Sequence, residues 1–433
     1  ILSSFMRLNY SYKGKYLLNS SFRLECASPF AENKKYGFFP SAAVAWNIAE
    51  EDFLKDLQLF STAKIRTSYG VTGSQAIGEY SSLARYNSSL YEIGSSGTTV
   101  TAVYPESLAN ANLSWERTKQ FNAGIDLSMF NNRIGLTFDY YIKTTDDLLQ
   151  PRTLPTQSGF GSITDNYGSM RNKGIELSIR ADIVNTRNFY YSTRFNISHN
   201  KTILLNLGDK TASDYTSVGG NLLAGVSGIL TPGEEVGNFY GHKVIGLAQN
   251  SDFENGVPKY AYSGDVTYQI PGTLVYEDKE KDGVINDKDR QVLCNAFPDF
   301  TFGWINDITW KRWGLNLFFM GSVGNDILNL TRFYLNNGML DYSGVSFNQT
   351  KDWYDNRWTQ SNQHNDPKYP GTQKGISLSD VNSVMIEDGS YLRLKTLTVS
   401  YMLPANKVFR NMRLSLSCTN VFTLTKYSGF DPE

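Results

Sequence analysis

The sequence predicts an all-β fold, namely a transmembrane antiparallel β-barrel represented by about 12 strands, with long extracellular loops. Three observations support this prediction. Apolar and polar residues alternate with a period of two over runs of about ten residues. Short connections alternate with connections that are mostly long. Aromatic residues gather beside the short connections, which is typical of the interfacial belts of membrane barrels.

The alternation is clearest in three segments, residues 121–129, 134–142 and 175–183, where every second residue is apolar. Because neighbouring residues of a strand point to opposite faces, each segment has one apolar and one polar face. The same pattern predicts 12 strands, over residues 2–12, 16–27, 36–48, 59–71, 118–130, 133–144, 171–184, 189–199, 301–310, 313–322, 391–403 and 411–421.

The connections between these strands differ in length on the two sides of the predicted sheet. The short ones lie around Gly14 and at residues 49–58, 131–132, 185–188, 311–312 and 404–410. The second set lies at residues 28–35, 72–117, 145–170, 200–300 and 323–390. Outer-membrane barrels have short periplasmic turns and long extracellular loops, whereas a soluble β-sandwich gives no reason for this asymmetry. We therefore predict that 200–300 and 323–390 are extracellular loop regions.

Two further features fit strands in a membrane. Aromatic residues beside the short turns predict one interfacial girdle, and they are Tyr10, Tyr12, Tyr16, Phe189, Tyr190, Tyr191, Trp310 and Trp313. Ordinary strand aromatics in a sandwich core are the alternative. In the segment 391–403 the apolar phase shifts near Lys395 or Thr396, which predicts a β-bulge.

Several other classes of protein are disfavoured. No run approaches the roughly 18 apolar residues of a spanning helix. The 41 basic and 42 acidic residues leave a net charge of −1, which argues against a nucleic-acid partner. The three cysteines predict neither a zinc site nor a disulfide framework, and the three histidines are isolated from any nucleophile motif. We therefore predict that the protein is not an enzyme.

Nine ordered motifs carry a family resemblance that covers nearly the whole chain. They include NYSYKGKYLLNSSFR (residues 9–23), YGFFPSAAVAW (36–46), IRTSYGVTGSQAIGEY (65–80), WERTKQFNAGIDL (115–127) and DYYIKTTDDLL (139–149). The others are GSMRNKGIELSI (168–179), PGEEVGNFYGHKVIGL (232–247), IEDGSYLRLKTLTVSYMLP (386–404) and TNVFTLTKYSGFDPE (419–433). With these motifs the chain resembles the C-terminal part of the barrel of SusC/RagA-type TonB-dependent transporters, from the outer membrane of Bacteroidetes-like bacteria.

The resemblance implies a partial barrel, about 12 strands of an expected 22, in the bacterial outer membrane. The first nine strands, the closing strand, the N-terminal plug and the TonB-contacting segment would then lie outside this sequence. It also implies active import powered by TonB, with a SusD-like surface lipoprotein as a lid on the loop regions 200–300 and 323–390. Glycans are the implied cargo, with oligopeptides as the alternative, and two such transporter–lipoprotein pairs could form a dimer.

An acidic segment in the first loop region, residues 278–289, predicts a structural Ca²⁺ site. Measured against the EF-hand loop, Asp278 falls at position 1, Glu280 at 3, Asp282 at 5, Gly283 at 6, Val284 at 7 through its carbonyl and Asp289 at 12. Position 3 is Glu instead of Asp or Asn, and position 12 is Asp instead of the bidentate Glu. The alternative is therefore an acidic, solvated turn without metal.

Ligand contacts are expected from the loops and from the polar lumen face. The candidates are aromatic, because flat rings stack on sugars and also suit peptides; they are Tyr80, Tyr86, Tyr91, Tyr104, Tyr334, Tyr342, Trp353, Tyr354 and Trp358. Aromatics that only hold the loops together are the alternative. The spacing over 351–358 is compatible with a short helix. Charged residues with lumen phase are expected to meet the plug or water, and they are Arg7, Arg23, Glu25, Arg180 and Arg194.

Two functions from other classes stay open. A soluble, calcium-stabilised glycan-binding β-protein would explain the alternation and the aromatics but not the two different rims. A passive porin or adhesin barrel would keep every membrane feature. A plug domain of roughly 100 residues upstream in the reading frame would distinguish a transporter from that barrel.

Overall fold

The computed structural model describes residues 1–55, 59–93, 97–208, 210–215, 227–254, 257–258, 261–262, 270–336, 348–371, 381–404 and 411–433. Within these residues no helix is both long and apolar enough to cross a membrane.

A 12-stranded sheet dominates the described residues and confirms the predicted strands. Neighbours in the sheet are also consecutive among these strands along the chain, and eight of the neighbouring pairs have a defined register, which is antiparallel in each. The strands, in their order across the sheet, are β1 (Leu2–Tyr12), β2 (Tyr16–Cys26), β3 (Tyr36–Asn47), β4 (Phe60–Ser74), β7 (Glu116–Met129), β8 (Ile134–Asp146), β11 (Ser169–Asn185), β12 (Phe189–Asn206), β23 (Phe300–Trp310), β24 (Trp313–Val323), β27 (Tyr391–Met402) and β28 (Arg413–Thr425).

The longer connections contain short strands and helices. The strands are β5 (Arg85–Ile93), β6 (Thr98–Ser107), β9 (Leu149–Thr153), β10 (Ser162–Asn166), β13 (Ser213–Tyr215), β14 (Gly228–Leu230), β15 (Asn238–Gly241), β16 (Val244–Leu247), β17 (Phe253–Glu254), β18 (Val257–Pro258), β19 (Ala261–Tyr262), β20 (Leu274–Tyr276), β21 (Val284–Ile285), β22 (Gln291–Asn295), β25 (Asp326–Leu328) and β26 (Ile386–Asp388). The helices are α1 (Asp52–Lys55), α2 (Leu330–Asn336) and α3 (Lys351–Asn356), the last of which confirms the short helix near 351–358. Single 3₁₀ turns lie at Glu32–Lys34, Ile48–Glu50, Thr156–Ser158, Asn250–Asp252, Asp287–Asp289 and Ser383–Met385.

Details of the strands follow the sequence closely. The register of β27 and β28 shifts between Leu394 and Thr396, so the predicted bulge is confirmed. The strands β4 and β12 run further than predicted, to Ser74 and Asn206. Their last residues are mostly small or polar and lack a clear apolar alternation, but they pair with the neighbouring strands, where Asn206 lies opposite Ser169. Long-range pairing thus extended strands that periodicity alone had ended early.

The chain divides into two compact units, and the first comprises Ile1–Thr211 and Trp304–Gly314. Its buried core lies where the loop after β2 meets the start of β7. The ring of Trp115 packs 4.8 Å from that of Phe30 and 5.3 Å from that of Phe39, and its indole N–H donates to the Lys35 carbonyl at 3.1 Å. A Cβ at Gly73 would come within 2.0 Å of the Phe39 ring, so glycine leaves the space that this ring fills. The motifs YGFFP, GVTGS and WERTK are therefore parts of one core.

The second unit comprises Ala212–Gly303 and Leu315–Glu433. Its hydrophobic core joins the two predicted loop regions, because Leu247 and Leu274 from one contact residues of the other. The buried members of the core are Leu247, Leu274, Phe333, Trp358, Val381 and Met385. The described parts of the two loop regions therefore share one hydrophobic core.

Candidate functional site

The polar face of β4, β7 and β8 carries an arginine that joins the three strands. The guanidinium of Arg66 donates through Nε to Asp126 at 3.0 Å and through Nη1 and Nη2 to Asp139 at 2.7 and 2.6 Å. Nη1 also donates to the amide oxygen of Asn122 at 3.3 Å. A Cβ at Gly124 would lie 2.6 Å from the Arg66 Cζ, so the glycine lets the guanidinium lie flat across β7. We call Arg66, Asp126 and Asp139 the arginine cluster.

Other groups on the polar face of the first unit are also paired. Arg194 contacts Asp307 at 2.7 Å, Arg180 contacts Asp182 at 3.4 Å, and Arg23 contacts Glu25. Uncharged side chains bond across strands in three places, with 2.7 Å between donor and acceptor in each: Asn19 with Asn9, Ser21 with Ser41, and Asn172 with Thr202. Arg7 is exposed on β1. Of the charged residues with predicted lumen phase, Arg23, Glu25, Arg180 and Arg194 thus form pairs within this chain, and their contact with a plug or water stays a prediction.

A buried arginine that the sequence reasoning missed lies at the start of β27. Arg393 is 2% exposed and binds the carboxylates of Asp431 and Glu433, while its Nε donates to Thr423 at 2.9 Å. Nearby, Glu387 accepts from Arg332 at 3.0 Å. An arginine inside the apolar run YLRLK was the available signal. The bonds from Arg393 to Asp431 and Glu433 explain why the motif at 386–404 occurs together with the terminal GFDPE.

The acidic segment 278–289 folds around one buried carboxylate. Asp289 is 0% exposed and accepts three backbone N–H bonds, from Lys279 at 3.0 Å, Glu280 at 3.3 Å and Asn286 at 2.8 Å. Burial by itself raises the pKa of Asp289, but the three N–H donors, with His242 nearby, offset this and hold the pKa below its usual value. The structure thus stabilises the ionised form of this carboxyl.

The other predicted metal ligands also bond to the backbone. Asp278 accepts from the N–H of Gly283 at 2.8 Å, Asp282 accepts from Val284 at 2.9 Å, and the φ of +80° at Gly283 provides the sharp turn. In the described part of the chain, no three His, Cys, Asp or Glu side chains are grouped to hold a metal ion. The Ca²⁺ site at Asp278, Glu280, Asp282, Val284 and Asp289 stays a prediction.

Four of the predicted ligand-binding tyrosines are exposed. Tyr86, Tyr91 and Tyr104 lie on the β5–β6 hairpin with exposed fractions of 68%, 63% and 44%, and Tyr80 precedes it at 64%. Neither face of this hairpin is buried, because the residues on both sides of β5 are exposed. These rings are available to a ligand or a partner.

The two predicted tryptophans have a different environment. Trp353 and Trp358 are 3% and 6% exposed, and their indole N–H groups donate to the Pro370 carbonyl at 2.9 Å and to Gln249 at 3.3 Å. In this conformation they cannot stack on a ligand, because both rings are enclosed by the loop core; spacing along the chain does not reveal this enclosure. Tyr354 is 61% exposed and stacks with Arg357 at 3.9 Å. The side chain of Tyr334, and Tyr342 altogether, lie outside the described residues.

Comparisons with known proteins agree on one family. The family model described as TonB dependent receptor-like, beta-barrel, matches residues 3–421. The chain is 38% identical over its whole length to TonB-dependent receptor P3 of Formosa agariphila, of which it covers 42%, and 28% identical to TonB-dependent receptor SusC of Bacteroides thetaiotaomicron, of which it covers 41%. The chain thus spans less than half the length of these relatives. A solved structure of the RagAB peptide transporter matches 99% of this chain and 44% of its own, with a TM-score of 0.82 and 24% identity, which shows the shared fold.

Proposed function

Because the chain belongs to the TonB-dependent receptor-like β-barrel family and is part of a bacterial outer-membrane barrel, we propose that the protein imports oligosaccharides with energy from TonB. The predicted family, fold class and localisation are confirmed. The cargo, the energy source and the partners are our proposals.

The pairing of charges on the polar face is the observation that supports an uncharged, polar cargo. Arg66, Arg180 and Arg194 each bond to a carboxylate of this chain, so their charges are already balanced. Between these pairs the face presents hydroxyl and amide groups, which both donate and accept hydrogen bonds. Sugar hydroxyls can exchange their bonds with water for bonds with such groups at little cost in free energy. A charged cargo, in contrast, needs an opposite charge that is not already paired.

Oligopeptides are the second candidate, because the similar solved structure is that of a peptide transporter. At 24% identity this likeness extends to the fold only. A peptide carries charged termini, and on the polar face of the first unit the pairs named above leave few charges to meet them. We therefore place oligosaccharides first.

We also propose that a SusD-like surface lipoprotein docks on the loop body of the second unit. The shared core of the two loop regions makes them present one surface, and that surface exposes large apolar side chains: Ile245 at 56%, Phe297 at 55% and Tyr354 at 61%. Exposed apolar groups of this kind are typical of partner-binding surfaces. Cross-linking mass spectrometry of intact cells should give cross-links from these loops to a lipoprotein, and their complete absence would refute this partner.

A growth experiment tests the proposed cargo. A strain that lacks the protein is complemented with the wild-type gene or with an empty vector and grown on oligosaccharides too large for porins, or on an oligopeptide mixture. We expect the empty vector to fail only on oligosaccharides, and deletion of TonB to abolish the rescue. If the empty-vector strain fails to grow only on peptides, oligopeptides replace oligosaccharides as the proposed cargo. Rescue without TonB would indicate a passive barrel.

A further inference from the structure

An apolar cleft lies on the outward face of β2, β3 and β4, close to the short turns. Its volume is about 500 Å³. On β3, Ala45 lies opposite Arg66 and so belongs to the polar face, and its neighbour Val44 therefore points away from that face. The cleft thus opens toward the lipid that surrounds a membrane barrel. We call it the outward cleft, and its lining includes Tyr10, Tyr16, Leu18, Val44, Trp46 and Ile65.

The wall of the cleft on the side of the turns is fixed by one carboxylate. Glu51 accepts hydrogen bonds from the hydroxyl of Tyr16 at 2.9 Å and from the indole N–H of Trp46 at 3.1 Å. Lys15 also donates to Glu51, at 2.8 Å. The two rings are stacked, with centroids 6.4 Å apart and planes 10° apart. Tyrosine and tryptophan keep their polar ends in the wet interface and their apolar bodies in hydrocarbon, so this wall lies at the level of the headgroups.

The surroundings of the cleft indicate what fills it. Leu18 and Val44 form the next outward pair beyond Tyr16, and they are 37% and 49% exposed. Beside them on β4, Ile65 is 44% exposed. The cleft therefore runs from the headgroup level into the hydrocarbon and is continuous with the apolar face that contacts lipid. An acyl chain is the group that this surrounding supplies, and it gives the lining side chains the packing partners that they lack.

A cation lies at the headgroup end of the cleft. The ammonium of Lys13 is 5.5 Å from the centroid of the Tyr12 ring, and Tyr12, opposite Tyr16, is on the outward face. The charge is thus held on the membrane side of the turn. Among the described residues Lys13 forms no ion pair, whereas Lys15 in the same turn is paired with Glu51.

The short turns of outer-membrane barrels are periplasmic, so the lipid that reaches this cleft belongs to the inner leaflet. We propose that the outward cleft binds one acyl chain of an inner-leaflet phospholipid whose phosphate contacts Lys13. The cleft selects the chain by its shape, and the lysine adds a point charge for the phosphate.

Lipid titration of the intact protein, purified from the outer membrane in neutral detergent, tests this site, and native mass spectrometry counts the bound phosphatidylethanolamine. We expect Val44→Phe to weaken binding at least about tenfold, because its ring displaces about two buried CH₂ groups, each worth about a factor of four. Lys13→Gln should weaken binding about fivefold, the contribution of one basic residue near a membrane surface. The matched controls are Ile175→Phe on the apolar face outside the cleft and Arg187→Gln in another short turn, and both should bind as the wild type does.

A second measurement locates the acyl chain. Phosphatidylethanolamine with brominated chains is added to the protein in the same detergent, and bromine quenches the fluorescence of tryptophans that it touches. We expect quenching at one lipid per protein that is lost in Trp46→Phe and kept in Trp310→Phe. Diacylglycerol with the same chains lacks the phosphate, and it should bind the wild type as weakly as the phospholipid binds Lys13→Gln.

Several results would overturn the proposal. They are equal binding by the wild type and Val44→Phe, an equal loss in Ile175→Phe, quenching that survives Trp46→Phe, and equal binding of the two lipids by the wild type. A change of oligomeric state in Val44→Phe without a change in lipid binding would also overturn it, because a second copy of the chain would then cover the cleft. Heat-modifiability on gels reports folding, and if Val44→Phe does not fold, Leu18→Trp must weaken binding instead.

Discussion

The arginine cluster gives a quantitative prediction about the stability of the barrel wall. Replacing Arg66 by Met keeps the length of the aliphatic side chain but removes the guanidinium. The carboxylates of Asp126 and Asp139 then face each other without a cation, and the three strands lose their shared side-chain bonds. We expect the free energy of unfolding to fall.

The structure sets the size of this loss. The side chains of Arg66, Asp126 and Asp139 are 28%, 29% and 17% exposed, so the cluster is between an exposed pair and a buried one. Exposed pairs contribute about 0 to 1 kcal/mol, and breaking a buried pair costs about 3 to 5 kcal/mol. We predict a loss of about 2 kcal/mol for Arg66→Met. A double-mutant cycle with Asp139→Asn should show a coupling of about 1 kcal/mol or more.

Denaturant unfolding in detergent micelles, followed by tryptophan fluorescence, measures this change. Lys64→Met is the matched control, because Lys64 lies on the same face of the same strand and only approaches Asp126 at 4.0 Å. Its loss should stay below about 1 kcal/mol. If Arg66→Met costs no more than Lys64→Met, or if the cycle is additive, the arginine cluster does not hold the strands together.

Three other perturbations probe the loops and turns. Trp115→Ala should cost about 3 to 5 kcal/mol of unfolding free energy, because the ring is 2% exposed in the first core, and should speed proteolysis of residues 27–35. The hydrogen bond from Lys15, with those from neighbouring aromatic groups, holds the pKa of Glu51 at about 2. The stabilisation that the ionised Glu51 provides is thus present above its ordinary pKa of 4.5 and is lost as the pH falls through about 2. Denaturant unfolding measured at several pH values will show this loss. Calcium at about 1 mM should slow proteolysis of residues 278–289, and Asp278→Asn with Asp282→Asn should remove that protection.

Each of these three measurements has its own control. Tyr86→Ala removes an aromatic ring that is 68% exposed. It should leave the free energy of unfolding within about 0.5 kcal/mol of wild type and the proteolysis rate unchanged. Glu51→Gln should abolish the loss of stability between pH 4.5 and 2 that this residue contributes; an unchanged pH profile would contradict the assignment. Asp287→Asn, whose side chain is 83% exposed, should keep the calcium effect, and no calcium effect in the wild type would favour the metal-free acidic turn.

The sheet was predictable because the alternation of apolar and polar residues lies within the sequence of each strand. Alternation between residues such as Ile175 and Glu176 is local, and it gave all twelve strands of the sheet and even the bulge beside Thr396. Strand ends were less accurate, since the polar extension of β12 to Asn206 depends on pairing with β11. Local sequence contains no information about a partner strand.

The candidate site was less predictable because its contacts join residues far apart in the chain. Arg66 meets carboxylates 60 and 73 residues away, and only the register of β4, β7 and β8 brings them together. The loop aromatics show the same limit. Spacing treated Trp353 and Tyr354 alike, yet the first is buried and the second exposed, because the fold of two long loops decides which ring is enclosed.

Uptake of labelled oligosaccharides tests the proposed import most directly. Cells that contain the protein are compared with cells that lack it, each with and without TonB, and accumulation behind the outer membrane is measured after exposure to fluorescent oligosaccharides. We predict accumulation only where both the protein and TonB are present. Accumulation that persists without TonB, or that occurs for labelled peptides but not for oligosaccharides, would contradict the account.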